Sequence, residues 1–218
     1  MKDIDFSAVI FDMDGTLLDS LGIWTDSDMT FITEQGFEYD PAVSAELKKL
    51  HFNSACDYLK EHYSLEMSAE QIGNRIMELV RHSYLNEAPL KPYVYDYISA
   101  LYKNGVKMCV ATSNEKGLAE GALKNTGIFD MMQFVITSDE VGEGKETPKI
   151  FLKAAEMLGA KPQDTVVFED SLHALLSAKK GGFHTVGVYE EKFAPEFELL
   201  KKEAEITIRT FKELIYKN

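Results

Sequence analysis

The chain has 218 residues, 45% of them hydrophobic, and a formal net charge of −13. That length permits one large domain or a core carrying a smaller one, and that apolar fraction is ample for a packed interior. The acidic balance argues against sequence-independent binding to DNA, RNA or anionic lipid, which needs a basic surface. The longest apolar runs, such as Ala8 to Phe11, fall far short of the ~20 residues of a membrane span, and the opening MKDIDFSAV lacks the basic-then-apolar pattern of a secretory signal. Cys56 and Cys109 form no CxxC pair and read as packing residues. A cytoplasmic monomer is expected, with no nucleic-acid or membrane partner. An anionic substrate would need a local positive group, most simply a bound cation.

In chain order, SAVIF is a continuous, partly β-branched apolar run and reads as a buried strand. From about Leu21 to about Ala88 the periodicity is helical. Ile23, Trp24, Met29, Phe31 and Ile32 lead one helix that Gly36 ends. Ala55, Tyr58, Leu59 and Tyr63 mark another, and a Ser68 cap followed by Ile72, Ile76, Leu79 and Val80 marks a third. From Pro89 onward helices alternate with short apolar runs: a helix near Tyr93 to Lys103, then VKMCVAT; a helix after Asn114, then FVIT; a helix from Pro148, then TVVFED; a helix after Ser171, then HTVGVY. Such alternation predicts parallel strands with crossover helices, an α/β Rossmann-like doubly wound sheet. The first strand belongs to the same sheet. The expected domains are a core over 1–18 and 89–218 and an inserted four-helix-type cap over 19–88.

Ligands of open α/β sheets bind beyond the carboxyl ends of the strands. Asp12 and Asp14 follow SAVIF, Thr112, Ser113 and Asn114 follow VKMCVA, Lys145 follows FVIT within a loop, and Glu169 and Asp170 follow TVVF. Four carboxylates gathered at one edge repel unless a cation lies among them. With hard oxygen donors and no histidine or cysteine beside them, Mg²⁺ is the favoured ion. One carboxylate can serve as a nucleophile toward phosphorus and another as acid and then base. Thr112 and Lys145 would donate to phosphoryl oxygens, with Ser113 and Asn114 as further candidates for binding the phosphate.

FDMDGTLLDS, ATSN, GKETPKIF and VVFEDS, in that order, resemble the four motifs of the haloacid dehalogenase superfamily, specifically phosphatases of the β-phosphoglucomutase-like branch with a helical cap after the first motif. The resemblance implies Asp12 as nucleophile, Asp14 as general acid/base, Thr112 and Lys145 as phosphate ligands, and Glu169 with Asp170 as Mg²⁺ carboxylates. It also implies metal contacts from Asp12 and from the Asp14 backbone carbonyl. The expected activity is hydrolysis of a small phosphorylated metabolite, such as a sugar phosphate, through an aspartyl-phosphate.

Two rival functions stay open. A hexose-phosphate mutase of this branch carries a histidine ten residues after the second motif-one aspartate and a cap arginine; here Trp24 and Asn53 stand there. A non-catalytic phospho-receiver also uses acidic residues, a threonine and a lysine, but lacks both a second aspartate like Asp14 and a helical insertion. His51, His62 and His173 read as surface or packing residues, and Trp24 as cap core in preference to a lid. In KETPK, Thr147 and Pro148 read as a helix cap and first helical residue, which puts Lys149 where a helix dipole disfavours a cation.

Overall fold

The computed structural model describes residues 6–47 and 50–215. By its internal contacts the chain forms two units: one runs up to Leu21 and resumes at Ala88, and the other spans Gly22–Glu87.

The second unit is helical. Its helices are α1 (Ile23–Glu34), α2 (Pro41–Leu47), α3 (Phe52–His62) and α4 (Ala69–Asn86). α4 starts where the sequence places a cap: the Ser68 hydroxyl accepts from the Gln71 N–H at 3.2 Å, and the Gln71 side chain accepts from the Ser68 N–H at 2.9 Å. This reciprocal box satisfies two amides that the helix itself cannot. Ile72, Ile76, Val80 and Tyr84, four apart, form the buried face. Gly73 lets α3 approach, since a β-carbon there would lie 3.3 Å from the Cys56 sulfur.

In α1 the buried residues are Ile23, Ser27, Phe31 and Ile32. Trp24 and Met29 lie outside that stripe, 42% and 43% exposed. The core reading of Trp24 is therefore corrected. Its ring packs edge-on against Phe52 at a centroid distance of 5.9 Å and borders a cavity of about 210 Å³ together with Asp28 and Ser44.

The first unit is the α/β sheet. β1 (Ala8–Phe11), β2 (Lys107–Thr112), β3 (Val135–Thr137), β4 (Thr165–Glu169), β5 (His184–Val188) and β6 (Ile206–Ile208) pair in parallel in the order β3-β2-β1-β4-β5-β6. The helices are α5 (Val94–Lys103), α6 (Lys116–Asn125), α7 (Ser138–Val141), α8 (Lys149–Leu158), α9 (Leu172–Lys180), α10 (Ala194–Glu203) and α11 (Lys212–Ile215). The short α7 and everything from α10 onward, β6 included, go beyond the elements expected from sequence. β6 has only three residues, too few for a periodic signal.

Both faces of the sheet are covered, which is why its strands are continuous apolar runs. On one face Ile10, Cys109, Ala111 and Val167 pack with Ile150, Phe151, Ala154 and Leu158 of α8. Burying a side chain such as Phe151 contributes roughly 2–3 kcal/mol. On the other, Phe168 meets Phe11 at 4.9 Å, Tyr97 at 5.7 Å and Phe211 at 5.7 Å between ring centroids.

The strand order reverses beside β1, whose neighbours are β2 and β4. Phe11 lies level with Val110 on one side and Phe168 on the other. The residues that follow β1 therefore emerge between those that follow β2 and β4, where an open sheet of this order forms its binding crevice.

Candidate active site

The Asp12 N–H donates to the Phe168 carbonyl at 3.0 Å, so the β1–β4 ladder runs one residue beyond β1 and delivers Asp12 beside Glu169 and Asp170. Oxygens of these three buried carboxylates lie within 4.8 Å of one another. At that separation two unit charges repel by about 3–4 kcal/mol even at an effective dielectric of 20.

Lys145, buried in the loop before α8, offsets part of this. Its ammonium donates to Asp12 Oδ1 and, at 3.0 Å, to Glu169 Oε2. Burial would lower the pKa of the lysine, but the two carboxylates outweigh it and hold the group charged. One cation does not balance three acids. Burial, and then Asp12, push Glu169 up to about 7 despite Lys145 and the Ser171 N–H. Asp170 is pushed well above the usual carboxylate range by burial, then by Asp12 and Glu169.

Asp12 Oδ2 is buried without a hydrogen-bond partner among the described residues. An orphaned anionic oxygen is costly. This oxygen, with the Glu169 and Asp170 carboxylates beside it, makes a hard-oxygen donor set suited to a small divalent cation. The residues present therefore fit a metal ion.

Asp14 stands apart from that cluster. Its Oδ1 accepts from the Ser20 hydroxyl at 2.6 Å and its Oδ2 from the Asn114 side-chain amide at 3.3 Å. Gly15 follows the two aspartates directly. At φ +86° it turns the chain out of the strand direction, and it packs so closely on Asp170 that a β-carbon would fall 2.9 Å from Asp170 Cγ. Asp12 and Asp14, two residues apart in sequence, thus have different partners.

Thr112 ends β2 buried, with its hydroxyl oxygen accepting from the Asn114 N–H at 3.0 Å. Its proton is left to donate elsewhere. Ser113 is exposed and its hydroxyl faces that of Ser138 at 3.1 Å. The Asn114 side-chain amide is bonded to Asp14.

Sequence reasoning passed over four groups that the fold brings here. Thr16 is fully buried and donates to Asp170 Oδ1 at 2.9 Å. Ser20 holds Asp14. Both lie inside FDMDGTLLDS, and a hydroxyl at those spacings was a legible signal. Lys91 and Glu190, which meet at 2.7 Å, carry no local signal at all.

Thr147 is not a helix cap. Its hydroxyl donates to Glu143 at 2.7 Å, and Pro148 occupies the cap position. Lys149 opens α8 and its ammonium meets the same Glu143 at 2.9 Å. An acid from the preceding loop thereby offsets the unfavourable lysine at the helix start. His173 is exposed and bonds Ser171 at 2.6 Å, and His62 stacks on Tyr58, as packing or surface residues do.

A sequence model for haloacid dehalogenase-like hydrolases matches residues 9–188. The "Probable pseudouridine-5'-phosphatase" of Drosophila melanogaster is 30% identical over 193 residues, which cover 86% of this chain and 83% of that protein. A fructose-1-phosphate phosphatase of Escherichia coli is 26% identical over 183 residues, 84% of this chain and 96% of that one. Among solved structures, one from Thermotoga maritima with the provisional name beta-phosphoglucomutase superposes with a TM-score of 0.82 at 25% identity, covering 93% of this chain and 94% of its own.

Proposed function

The chain belongs to the haloacid dehalogenase-like hydrolases, in the β-phosphoglucomutase-like branch, and on that premise we propose that it hydrolyses small phosphomonoesters by an aspartyl-phosphate route. Relatives named as phosphatases support the hydrolysis of phosphoric monoesters. The observation that carries the mechanism is the separation of the two aspartates, Asp12 within the acidic cluster beside Lys145 and Asp14 held apart by Ser20 and Asn114.

Asp12 is the nucleophile. One of its carboxylate oxygens forms a bond to phosphorus as the bond from phosphorus to the leaving oxygen breaks, and Asp14 passes its proton to that oxygen. In the second half Asp14, now ionised, takes a proton from water. The water oxygen bonds to phosphorus, the aspartyl-phosphate bond breaks, and Asp12 returns as a carboxylate with Asp14 again protonated. Lys145 and the Thr112 hydroxyl donate to the phosphoryl oxygens, where charge is spread in the transition state.

Asp12, Glu169, Asp170 and the Asp14 backbone carbonyl would hold Mg²⁺, which when bound supplies positive charge to neutralise the phosphoryl group and the cluster. The helical unit, Gly22–Glu87, is the part of the chain to which we assign the choice of leaving group. Relatives named for pseudouridine-5'-phosphate and fructose-1-phosphate favour a phosphorylated sugar or a compound related to one. The two buried cysteines, unpaired, suit a reducing compartment, so we place the enzyme in the cytoplasm.

The test is phosphate release from a panel of phosphorylated metabolites, with Mg²⁺ or EDTA, by wild type and Asp12→Asn. Release that needs Mg²⁺ and vanishes in the variant is expected. If nothing in the panel releases phosphate while acetyl phosphate labels Asp12 stably, hydrolysis is the wrong reaction.

A further inference from the structure

Lys91 lies in the segment that returns from the helical unit to the sheet, and no step above uses it. Its side chain is 14% exposed, and that of Glu190 is 6% exposed. The ammonium donates to the Gly15 carbonyl at 2.7 Å, to the Tyr189 carbonyl at 2.8 Å and to Glu190 Oε2 at 2.7 Å. All three of its donors are thereby used. Glu190 is itself held, its Oε1 accepting from the Lys192 N–H at 3.1 Å.

The backbone of the same segment grips the same turn. The Lys91 N–H donates to the Leu17 carbonyl at 2.8 Å, and the Asp19 N–H donates to the Pro89 carbonyl at 3.0 Å. Leu18 bridges to Leu90 between them. A lysine serving only solubility would keep its ammonium in water. Burying the charge costs several kcal/mol unless partners compensate, and here two of the three partners are carbonyls in the loops after β1 and β5.

Gly15 is the residue through which this matters. It stands between Asp14 and Thr16, the second of which bonds Asp170, and it packs on Asp170 itself. A shift of its carbonyl would carry Asp14 with it. From this juxtaposition we infer that Lys91, charge-balanced by Glu190, is a positioning residue that fixes the Gly15 carbonyl and so holds the Asp14 carboxyl at its working angle. The inference rests on the reading of Asp14 as general acid and base.

An acid's placement matters most when the leaving group needs its proton, which gives a readout that a merely structural lysine would not move. The experiment measures kcat/KM for wild type, Lys91→Met and Lys91→Gln on the best sugar phosphate of the panel and on p-nitrophenyl phosphate, whose leaving group needs little protonation. Thermal unfolding is followed alongside. Lys91→Met is expected to lose at least about tenfold more on the sugar phosphate than on p-nitrophenyl phosphate, and Lys91→Gln to show a smaller loss with the same bias. Equal losses on the two substrates, or a lowered Tm with both rates intact, would overturn the positioning role. Should Lys91→Met not fold, Lys91→Gln and Glu190→Gln carry the same comparison. A wild type that turns over neither substrate defeats the phosphatase reading and this inference with it, whereas an active wild type with unbiased variants defeats the inference alone.

Discussion

Gly15 and Asp170, far apart in sequence, touch: a β-carbon on Gly15 would lie 2.9 Å from Asp170 Cγ, and Gly15 holds φ at +86°. Two independent constraints thus demand glycine at the turn that follows the two motif-one aspartates. Gly15→Ala meets a left-handed backbone penalty of roughly 1–2 kcal/mol and a clash that must displace Asp170. The expected outcome is a fall in kcat/KM of more than about 100-fold, equivalent to about 2.7 kcal/mol, with a lowered Tm. Steady-state kinetics and thermal unfolding of the purified variant check it.

Removing one charge from the carboxylate cluster separates stability from chemistry. Asp12→Asn deletes the nucleophile and also its repulsion of Glu169 and Asp170, against its attraction to Lys145. Turnover is expected to drop by at least about 10³-fold while the Tm measured in EDTA stays level or rises. A variant that melts well below wild type in EDTA would show that Asp12 stabilises the fold, contrary to this reading.

A divalent ion that completes the donor set of Asp12, Glu169 and Asp170 binds the folded chain only, so it must stabilise it. At 100 times its Kd the gain is about 2.7 kcal/mol, several degrees in Tm for a chain of this size. Mg²⁺ is expected to raise the Tm of wild type by that order and that of Asp170→Asn far less. Differential scanning fluorimetry across a Mg²⁺ titration gives the answer without any substrate.

Asp28, beside Trp24 and Phe52 on the cavity of the helical unit, supplies a pH dependence. Burial raises its pKa from 3.8 to about 6, so the folded state prefers the protonated carboxyl. The favourable contribution is complete below pH 3.8 and is lost as pH rises through about 6. Cys56 of α3 and Tyr39 are pushed up in pKa first by burial and to a lesser extent by the Asp28 charge. Allowing for its partial exposure, Asp28→Asn is expected to stabilise by roughly 1–2 kcal/mol at pH 7.5 and by little at pH 4. Urea unfolding at the two pH values measures the difference, and an equal effect at both would rule out titration of Asp28 as its source.

Much of this protein was legible in one dimension because its signals are local. SAVIF, VKMCVA and TVVF announce buried strands by their short apolar runs, and Ser68 ahead of Ile72 and Ile76 announces a helix start, since each pattern is read by residues within a few positions of one another. The carboxylates and Lys145 stand at strand ends or in the loops beyond them, so the meeting of Asp12, Glu169, Asp170 and Lys145 was legible once the strands were placed. Thr16 and Ser20 were legible too, as hydroxyls in the same short motif. The reading of Trp24 as core failed because helical spacing assigns a residue to a face without saying which face is covered.

The sequence by itself determined which residues are chemically capable of the reaction and on which kind of element each lies, because strand and helix periodicity and turn chemistry act over a few residues. Only the tertiary structure decided who meets whom. The pairing of β1 with β4 sets Asp12 against Glu169 and Asp170, Ser20 beyond the turn at Gly15 and Asn114 beyond β2 both meet Asp14, and Lys91 reaches across from another loop to hold that turn. These contacts are made between segments 76 to 158 residues apart, or by backbone dihedrals that a single glycine permits. Their energies depend on distance in space and on burial, neither of which is written in local order along the chain.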